Sequence, residues 1–389
     1  MSQFTMSCSD RLLTLDSTDV LDLTVQTLTT QFDLSVKGHN YTAETIFHIL
    51  TAASVKGRTI EDVCGQLQEG PHPNAVRYQL KKELLKRIGE LEDAANEALL
   101  AHLPPHLCHK SHKVAIDLVF IPYHGQAQSN DNELRRSQAK SGTNTFHCYA
   151  TAYIIKRNKR CTLALTYVRA TDTLIDVLER LLARLTAIGI SCKRLYLDRQ
   201  FFTVQVIRYL QERCISAIIP VVLRGKRGGL RELLKNRKSY KTAYTMRSPK
   251  NGSVSFEVWV VCKYSHGKYK RHGVKRFAYA VLGNVTCLLH QVYEEYRQRF
   301  GIESSYRLMN QVRARTASRD PALRLLFVSI AFILLNLWVY LKWMLGSPRQ
   351  GGRDIQPHFF ILSRLRLFLE EAVKEIYGVT LSIQTAPPS

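Results

Sequence analysis

The chain has 389 residues, 45% of them apolar and 22% charged, a globular composition with room for two or three domains and a sizeable core. Its 55 Lys and Arg outnumber 32 Asp and Glu for a net charge of +23, and the isoelectric point is near 9.7. This excess favours polyanionic partners, DNA or RNA first and an anionic membrane surface second. Nine cysteines stand singly with no Cys-x-x-Cys pair, which speaks for free thiols in a reducing compartment and against a disulfide scaffold. The opening MSQFTMSCSD lacks a basic-then-apolar signal pattern, so a cytoplasmic protein is expected.

Residues 1–36 are rich in Thr and Asp and hold one helix starting near Ser17. Glu44 to Val55 is amphipathic and stops at Gly57, and Thr59 to Leu67 follows with Thr59 as N-cap. After the loop EGPHP, Asn74 to Leu85 is a basic helix carrying Arg77, Tyr78, Lys81 and Lys82. A short helix, a tight turn and a basic helix outline a helix-turn-helix, with Arg77 and Lys81 placed to meet DNA. The expected unit is a helical N-terminal DNA-binding domain over 1–105. His106, Cys108, His109 and His112 fit no common zinc spacing, and the two prolines beside them mark a linker.

From Lys113 the period changes. VAIDLVFI reads as a strand carrying Asp117; after a polar loop, Thr145–Lys156 and Cys161–Val168 read as two more. Thr171–Ile188 is a helix, Lys193–Leu197 a strand ending at Asp198, Thr203–Arg213 a helix and Ala217–Leu223 a strand. This alternation predicts an α/β domain. With one carboxylate on the first strand and another just after the fourth, the order is that of a ribonuclease-H-like fold. Basic residues then crowd in from Arg224, and Asn251-Gly252 separates Thr242–Arg247 from Val254–Cys262 as a hairpin. A third basic strand region runs over Lys268–Leu282. Residues 224–280 thus read as a β-rich insertion between two catalytic segments, 113–223 and 281–345, before a helical tail at 346–389. Leu325 to Leu341 approaches the length of a membrane span. Ser329 and Asn336 interrupt it and Arg324 and Lys342 flank it, which favours a buried core helix over a membrane-associated one.

In YRQRFGIESSYRLMN, Tyr296, Arg299, Glu303 and Asn310 are separated so that one continuous helix, roughly Gln291 to Arg313, would bring all four within roughly 60° of arc. A ring, a guanidinium and a carboxylate on one face suit a phosphate backbone held beside a metal ion. Glu294 and Glu295 share the helix but fall off that arc. Asp117 within an apolar strand is costly unless it ligates, pairs or reaches the surface. Asp117, Asp198 and Glu303 together are therefore candidate ligands for two Mg²⁺ (or Mn²⁺) ions, about 3.5–4 Å apart, in phosphoryl transfer on nucleic acid.

Over about Val114 to Met344 the sequence resembles the DDE transposases of prokaryotic insertion sequences, in the branch marked Y-x2-R-x3-E-x6-K. Tyr296, Arg299 and Glu303 match the first three positions, and Asp198-Arg199-Gln200-Phe201 resembles the DRxF segment around the second aspartate. The resemblance implies binding of double-stranded DNA, cutting at the element's terminal repeats and strand transfer into a target, within a homodimer on DNA. It also implies a nucleoid-associated cytoplasmic protein with no membrane. The chain departs at Asn310, where the signature has lysine; Arg307 and Arg313 lie near enough to supply the charge. Some members of the branch stack an insertion-domain tryptophan on a flipped base, which makes Trp259 a candidate DNA contact. Strand alternation puts it with Glu257 and Val261, opposite Phe256, Val258 and Val260. Two alternatives stay open: a ribonuclease-H-like nuclease or resolvase that cuts without joining, and an inactive transposase-derived DNA-binding protein.

Overall fold

The computed structural model describes residues 14–36, 41–84, 88–104, 107–155, 161–225, 228–266, 272–349, 352–354 and 358–380. The first five helices are α1 (Ser17–Gln31), α2 (Ala43–Lys56), α3 (Ile60–Gln66), α4 (Pro73–Gln79) and α5 (Ile88–Leu100). Their ends are set by local chemistry. Asp16 and Asp19 form a capping box on α1, Thr42 and Thr59 cap α2 and α3, and Gly57 at φ +62° ends α2 in the left-handed region. Helix α4 continues as a π-helical turn over Leu80–Leu84.

Nine strands follow: β1 (Ser111–Pro122), β2 (Arg135–Lys140), β3 (Thr143–Ile154), β4 (Thr162–Val168), β5 (Ser191–Leu197), β6 (Ala217–Pro220), β7 (Tyr240–Ser248), β8 (Gly252–His266) and β9 (His272–Leu282). Helices α6 (Leu174–Ala187) and α7 (Val204–Glu212) lead from β4 to β5 and from β5 to β6, and a single turn, α8 (Leu230–Leu233), precedes β7. All nine strands belong to one mixed sheet, ordered β2-β3-β1-β5-β6-β9-β8-β7, with β4 beside β2 on the outer edge of β3. β1, β5 and β6 run parallel, and β3 and β9 flank them antiparallel.

Beyond the sheet lie α9 (Val292–Arg297), a 3₁₀ turn (Gln298–Phe300), α10 (Gly301–Gln311), α11 (Pro321–Met344) and α12 (Leu362–Tyr377). One sheet face packs on α6 and α7 through Val114, Ile116, Leu178, Leu195 and Ile207. The other meets α9 and α10 through Ala115, Tyr196, Trp259, Val292 and Ile302, and α5 and α11 through Val119, Tyr149 and Leu165. Burial on both faces is why β1, β3 and β4 read as mostly apolar runs, broken only at polar residues such as Asp117, His147, Thr151 and Thr166 that are themselves buried.

Helix α11 is long and apolar enough to cross a membrane, yet 94% of its most apolar window is buried inside this fold. Its polar interruptions have partners. Asn336 accepts from Thr162 N–H at 2.9 Å and donates to the carbonyls of Leu99 and Thr162 at 2.8 and 2.7 Å, stitching α11 to α5 and β4. Ser329 donates to its own helix at Leu325.

Three sequence expectations change. Strand β2 was expected to be loop: RRSQAK has no apolar period because most of its side chains face solvent. The 224–280 segment does form a hairpin at Asn251-Gly252, with Gly252 at φ +72°, but β9 pairs with β6, so the three strands widen the main sheet. The expected third strand begins at His272, and residues 267–271 lie outside the described ones. The single helix over 291–313 is instead α9, a 3₁₀ turn and α10.

Candidate active site

β1 and β5 are adjacent and parallel, with Ile116 paired to Leu197, so the next residue of each strand, Asp117 and Asp198, stands side by side. In open α/β sheets, ligands bind beyond the carboxyl ends of the strands, where Asp198 lies. Asp198 caps the 3₁₀ turn Arg199–Phe201 by accepting from Arg199 N–H at 2.6 Å. Asp117 accepts from Leu118 N–H at 2.9 Å through its other carboxylate oxygen, Oδ1.

The α9–α10 segment is tied down over this pair by two tyrosines. Tyr296 donates its hydroxyl to the Leu197 carbonyl at 3.0 Å, and Tyr306 donates to the Asp117 carbonyl at 2.9 Å. The Tyr306 hydroxyl also meets that of Thr151, the cross-strand partner of Asp117, at 2.8 Å. Between these anchors the 3₁₀ turn aims Arg299 inward. Its guanidinium lies 2.8 Å from Asp117, 3.3 Å from Glu303 and 3.6 Å from Asp198. The structure thus brings Asp117, Asp198, Glu303, Tyr296 and Arg299 together around one cation.

Exposure is graded across this cluster. Arg299 is 4% exposed, whereas the Glu303 side chain is half exposed. Burial pushes the Asp117 carboxyl up to about 6; Arg299 opposes the rise and Asp198 adds to it. The same carboxylates, with Tyr296, hold Arg299 above the ordinary guanidinium range despite its burial. No group of three or more His, Cys, Asp or Glu among the described residues is spaced as a ready metal site. The donor chemistry still suits a hard divalent cation: three carboxylates against one guanidinium leave two negative charges uncompensated.

Two grooves, each of about 580 Å³, meet at Glu303. The first is lined by Asp198, Arg199, Arg276, Arg297, Arg299 and the rings of Tyr293 and Phe300. The second opens on the β2 side, past Lys140, Gln200, Tyr306, Arg307 and Asn310. Asn310, two turns beyond Glu303 on α10, lines the second groove with it and not the groove that holds Arg199.

Other expected residues are placed elsewhere. Glu295 pairs with Lys113 and Arg194 and accepts from Tyr196, and Glu294 pairs with Lys263 and Arg297, so neither rival joins the cluster. Trp259 is a correction: it is 2% exposed, with Lys241 Nζ 3.8 Å over its ring and its indole N–H donated to Glu257. Ser253, Ser255 and Glu257 on its face of β8 are exposed, but from Val258 to Val261 both faces are buried, so no face of the ring is open to a base. Arg313 is also a correction. Its guanidinium is buried near Tyr149 and Arg324, and burial lowers its proton affinity; it does not line either groove. Arg77 pairs with Glu61 and Asn74, and Lys81 is exposed; both line a separate groove of about 420 Å³ with Arg315, which holds none of the three carboxylates. Tyr306 was not anticipated, although its place three residues after Glu303 puts it on the same helix one turn on.

No protein-family model matches the sequence, and no curated protein does. Among solved structures, the fold is similar to that of piggyBac transposase in a cryo-EM synaptic complex with hairpin DNA. The TM-score is 0.55 at 11% identity, over 94% of this chain and 81% of that one. At that identity the likeness is one of fold, and it spans both the sheet and the helical layer.

Proposed function

We propose that the chain is a DNA transposase with a ribonuclease-H-like catalytic core, in which Asp117, Asp198 and Glu303 are the carboxylates that hold two Mg²⁺ or Mn²⁺ ions. The observation that carries this reading is the convergence of these three side chains, from β1, the end of β5 and α10, on Arg299. The sheet path β4-β3-β1-β5-β6 and the fold likeness to a transposase support it. Such an ion pair supplies activation of the attacking water or 3′-hydroxyl and charge stabilisation at the leaving oxygen.

The chain's own residues bind and orient DNA. Arg199, Arg276 and Arg297 offer phosphate donors along the first groove. Lys140, Arg307 and Asn310 line the second. Cutting alone needs one DNA segment at the carboxylates; joining needs two. Two grooves meeting at Glu303 favour a transposase over a nuclease that cuts without joining. The narrower placement in the Tyr-Arg-Glu-Lys branch rests on Tyr296, Arg299 and Glu303, since Asn310 holds the lysine position. A homodimer on paired element ends, end recognition through Arg77 and Lys81, and residence in the nucleoid complete the proposal.

Incubation with Mg²⁺, DNA bearing candidate terminal repeats and a target plasmid tests it. Joined products are expected from the native chain. Asp117→Asn, Asp198→Asn and Glu303→Gln should each abolish cleavage and keep DNA binding. Cleavage without joining would make the chain a nuclease, and cleavage surviving in any variant would remove that residue from the site.

A further inference from the structure

We propose that Arg299 is a DNA-operated gate on metal entry: in the free protein it is the resident cation of the three carboxylates, and a DNA phosphate must draw it away before a divalent ion binds. The proposal rests on the reading of Asp117, Asp198 and Glu303 as metal ligands. It goes beyond that reading in making metal affinity depend on DNA through one named side chain.

Three observations carry it. First, Arg299 lies within ion-pair distance of every candidate ligand, at 2.8 Å from Asp117, 3.3 Å from Glu303 and 3.6 Å from Asp198. With Leu118 N–H already on Asp117 Oδ1 and Arg299 on Oδ2, both oxygens of the most buried carboxylate are engaged. A divalent ion shared by Asp117 and Glu303 would compete with the guanidinium for the same lone pairs. Second, Arg299 retains unused donor capacity, because its buried Nε–H has no acceptor among the described residues. A buried donor left unpaired costs free energy, so this conformation holds the side chain while leaving it ready for a better acceptor.

Third, that acceptor has a route in. Arg299 lines the first groove together with Arg199, Arg276 and Arg297, the three guanidiniums placed to bring a phosphate backbone to it. A phosphate takes two parallel N–H bonds from one guanidinium, which single oxygens of three different carboxylates, Asp117 on Nη1 and both Asp198 and Glu303 on Nη2 at 2.8 to 3.6 Å, do not match. Tyr296 and Phe300, whose rings lie 5.6 and 6.0 Å from the guanidinium, flank the side chain on its path toward the groove. Exchange of one cation for another then needs no backbone movement. By reciprocity, whatever factor DNA adds to metal affinity, metal must add to DNA affinity.

The test is Mn²⁺ binding by the full-length protein, followed by the electron spin resonance signal of free Mn²⁺, with and without a short duplex of arbitrary sequence. The native chain should bind Mn²⁺ about tenfold more tightly with the duplex than without it. Arg299→Gln should bind Mn²⁺ without DNA as tightly as the native chain binds it with DNA, and the duplex should add nothing. Arg299→Lys keeps the buried charge where the glutamine variant fails to fold, and should raise DNA-free Mn²⁺ affinity part of the way. Equal Mn²⁺ affinity with and without duplex in the native chain, or no gain in either variant, overturns the gate. Mn²⁺ binding unaffected by Asp117→Asn or Glu303→Gln would instead overturn the carboxylate site itself. The two failures are therefore separable.

Discussion

Trp259 and His147 show how burial decides what a side chain can do. Trp259 sits with Tyr196, Tyr279 and Val281 in the core beneath α9, so its work is packing. Trp259→Ala should destabilise the fold by about 3–5 kcal/mol and depress every DNA reaction together. Thermal unfolding checks this; unchanged stability with one late reaction step lost would restore a role on DNA. His147 is 1% exposed on β3, edge-on to Tyr123 with ring centroids 4.9 Å apart, and neither ring nitrogen has a partner among the described residues. Burial, aided by the Arg324 charge, lowers its proton affinity from 6.5 to about 3. Between those values the unfolded chain binds the proton and the folded one does not, so stability falls as pH falls from about 6.5. The loss approaches about 1.4 kcal/mol per pH unit well inside that window. Denaturant unfolding between pH 7 and 5 should show a shallower decline in His147→Leu, and equal slopes would sink the assignment. Asp117 was legible in the sequence because a carboxylate in an apolar run has few reasons to be there. Arg313 was not, because a guanidinium that buries itself beside Tyr149 reads the same as one that meets phosphate.

Among the elements, the segment from α9 to α10 positions most of the site and departs most from its sequence pattern. Angular spacing along a single helix would align Tyr296, Arg299, Glu303 and Asn310. The 3₁₀ turn at Gln298–Phe300 instead sends Arg299 inward, while Glu303 and Asn310, seven residues apart within α10, keep their common face and line the second groove together. A 3₁₀ turn leaves no mark on hydrophobic period over three residues, so the break was not readable. The strands of the core were readable because double burial makes them mostly apolar runs, while β2, polar and at the rim, was not. Asn310→Lys is the element's own test. A lysine there adds one phosphate contact, so the slope of log affinity against log salt should steepen by about one. An unchanged slope would mean that DNA does not occupy the groove beyond Glu303.

Taken together, strands β1 to β9 form one sheet and the helical layer one core. Residues 1–105 were expected to stand as a domain, but α1, α2 and α5 share a continuous core with α11 and α12 through Leu21, Phe47, Leu99, Phe332 and Leu369. Helix α12 lies against α1 and α2, and α11 against α5. Such contacts join residues far apart in sequence, which no local pattern reports. Removing residues 1–105 should therefore cost the remainder its fixed tertiary packing and not merely its choice of DNA ends. Loss of the near-ultraviolet circular dichroism of Trp338 and its neighbours would show it; a cooperative, well-packed fragment would argue for an independent domain. End recognition is better probed by Arg77→Ala and Lys81→Ala, both at the surface of α4 and its π-helical extension.

The Asn336 stitch, which joins α11 to Leu99 and Thr162, has a consequence during synthesis. The early helices leave the ribosome with an apolar face whose permanent cover, α11 and α12, is translated more than half the chain later. Until then the nascent chain carries a half-built core, the condition under which chaperones are engaged and aggregation competes. Yield in a heterologous host should depend on translation speed and chaperone supply more than the finished protein's stability would suggest.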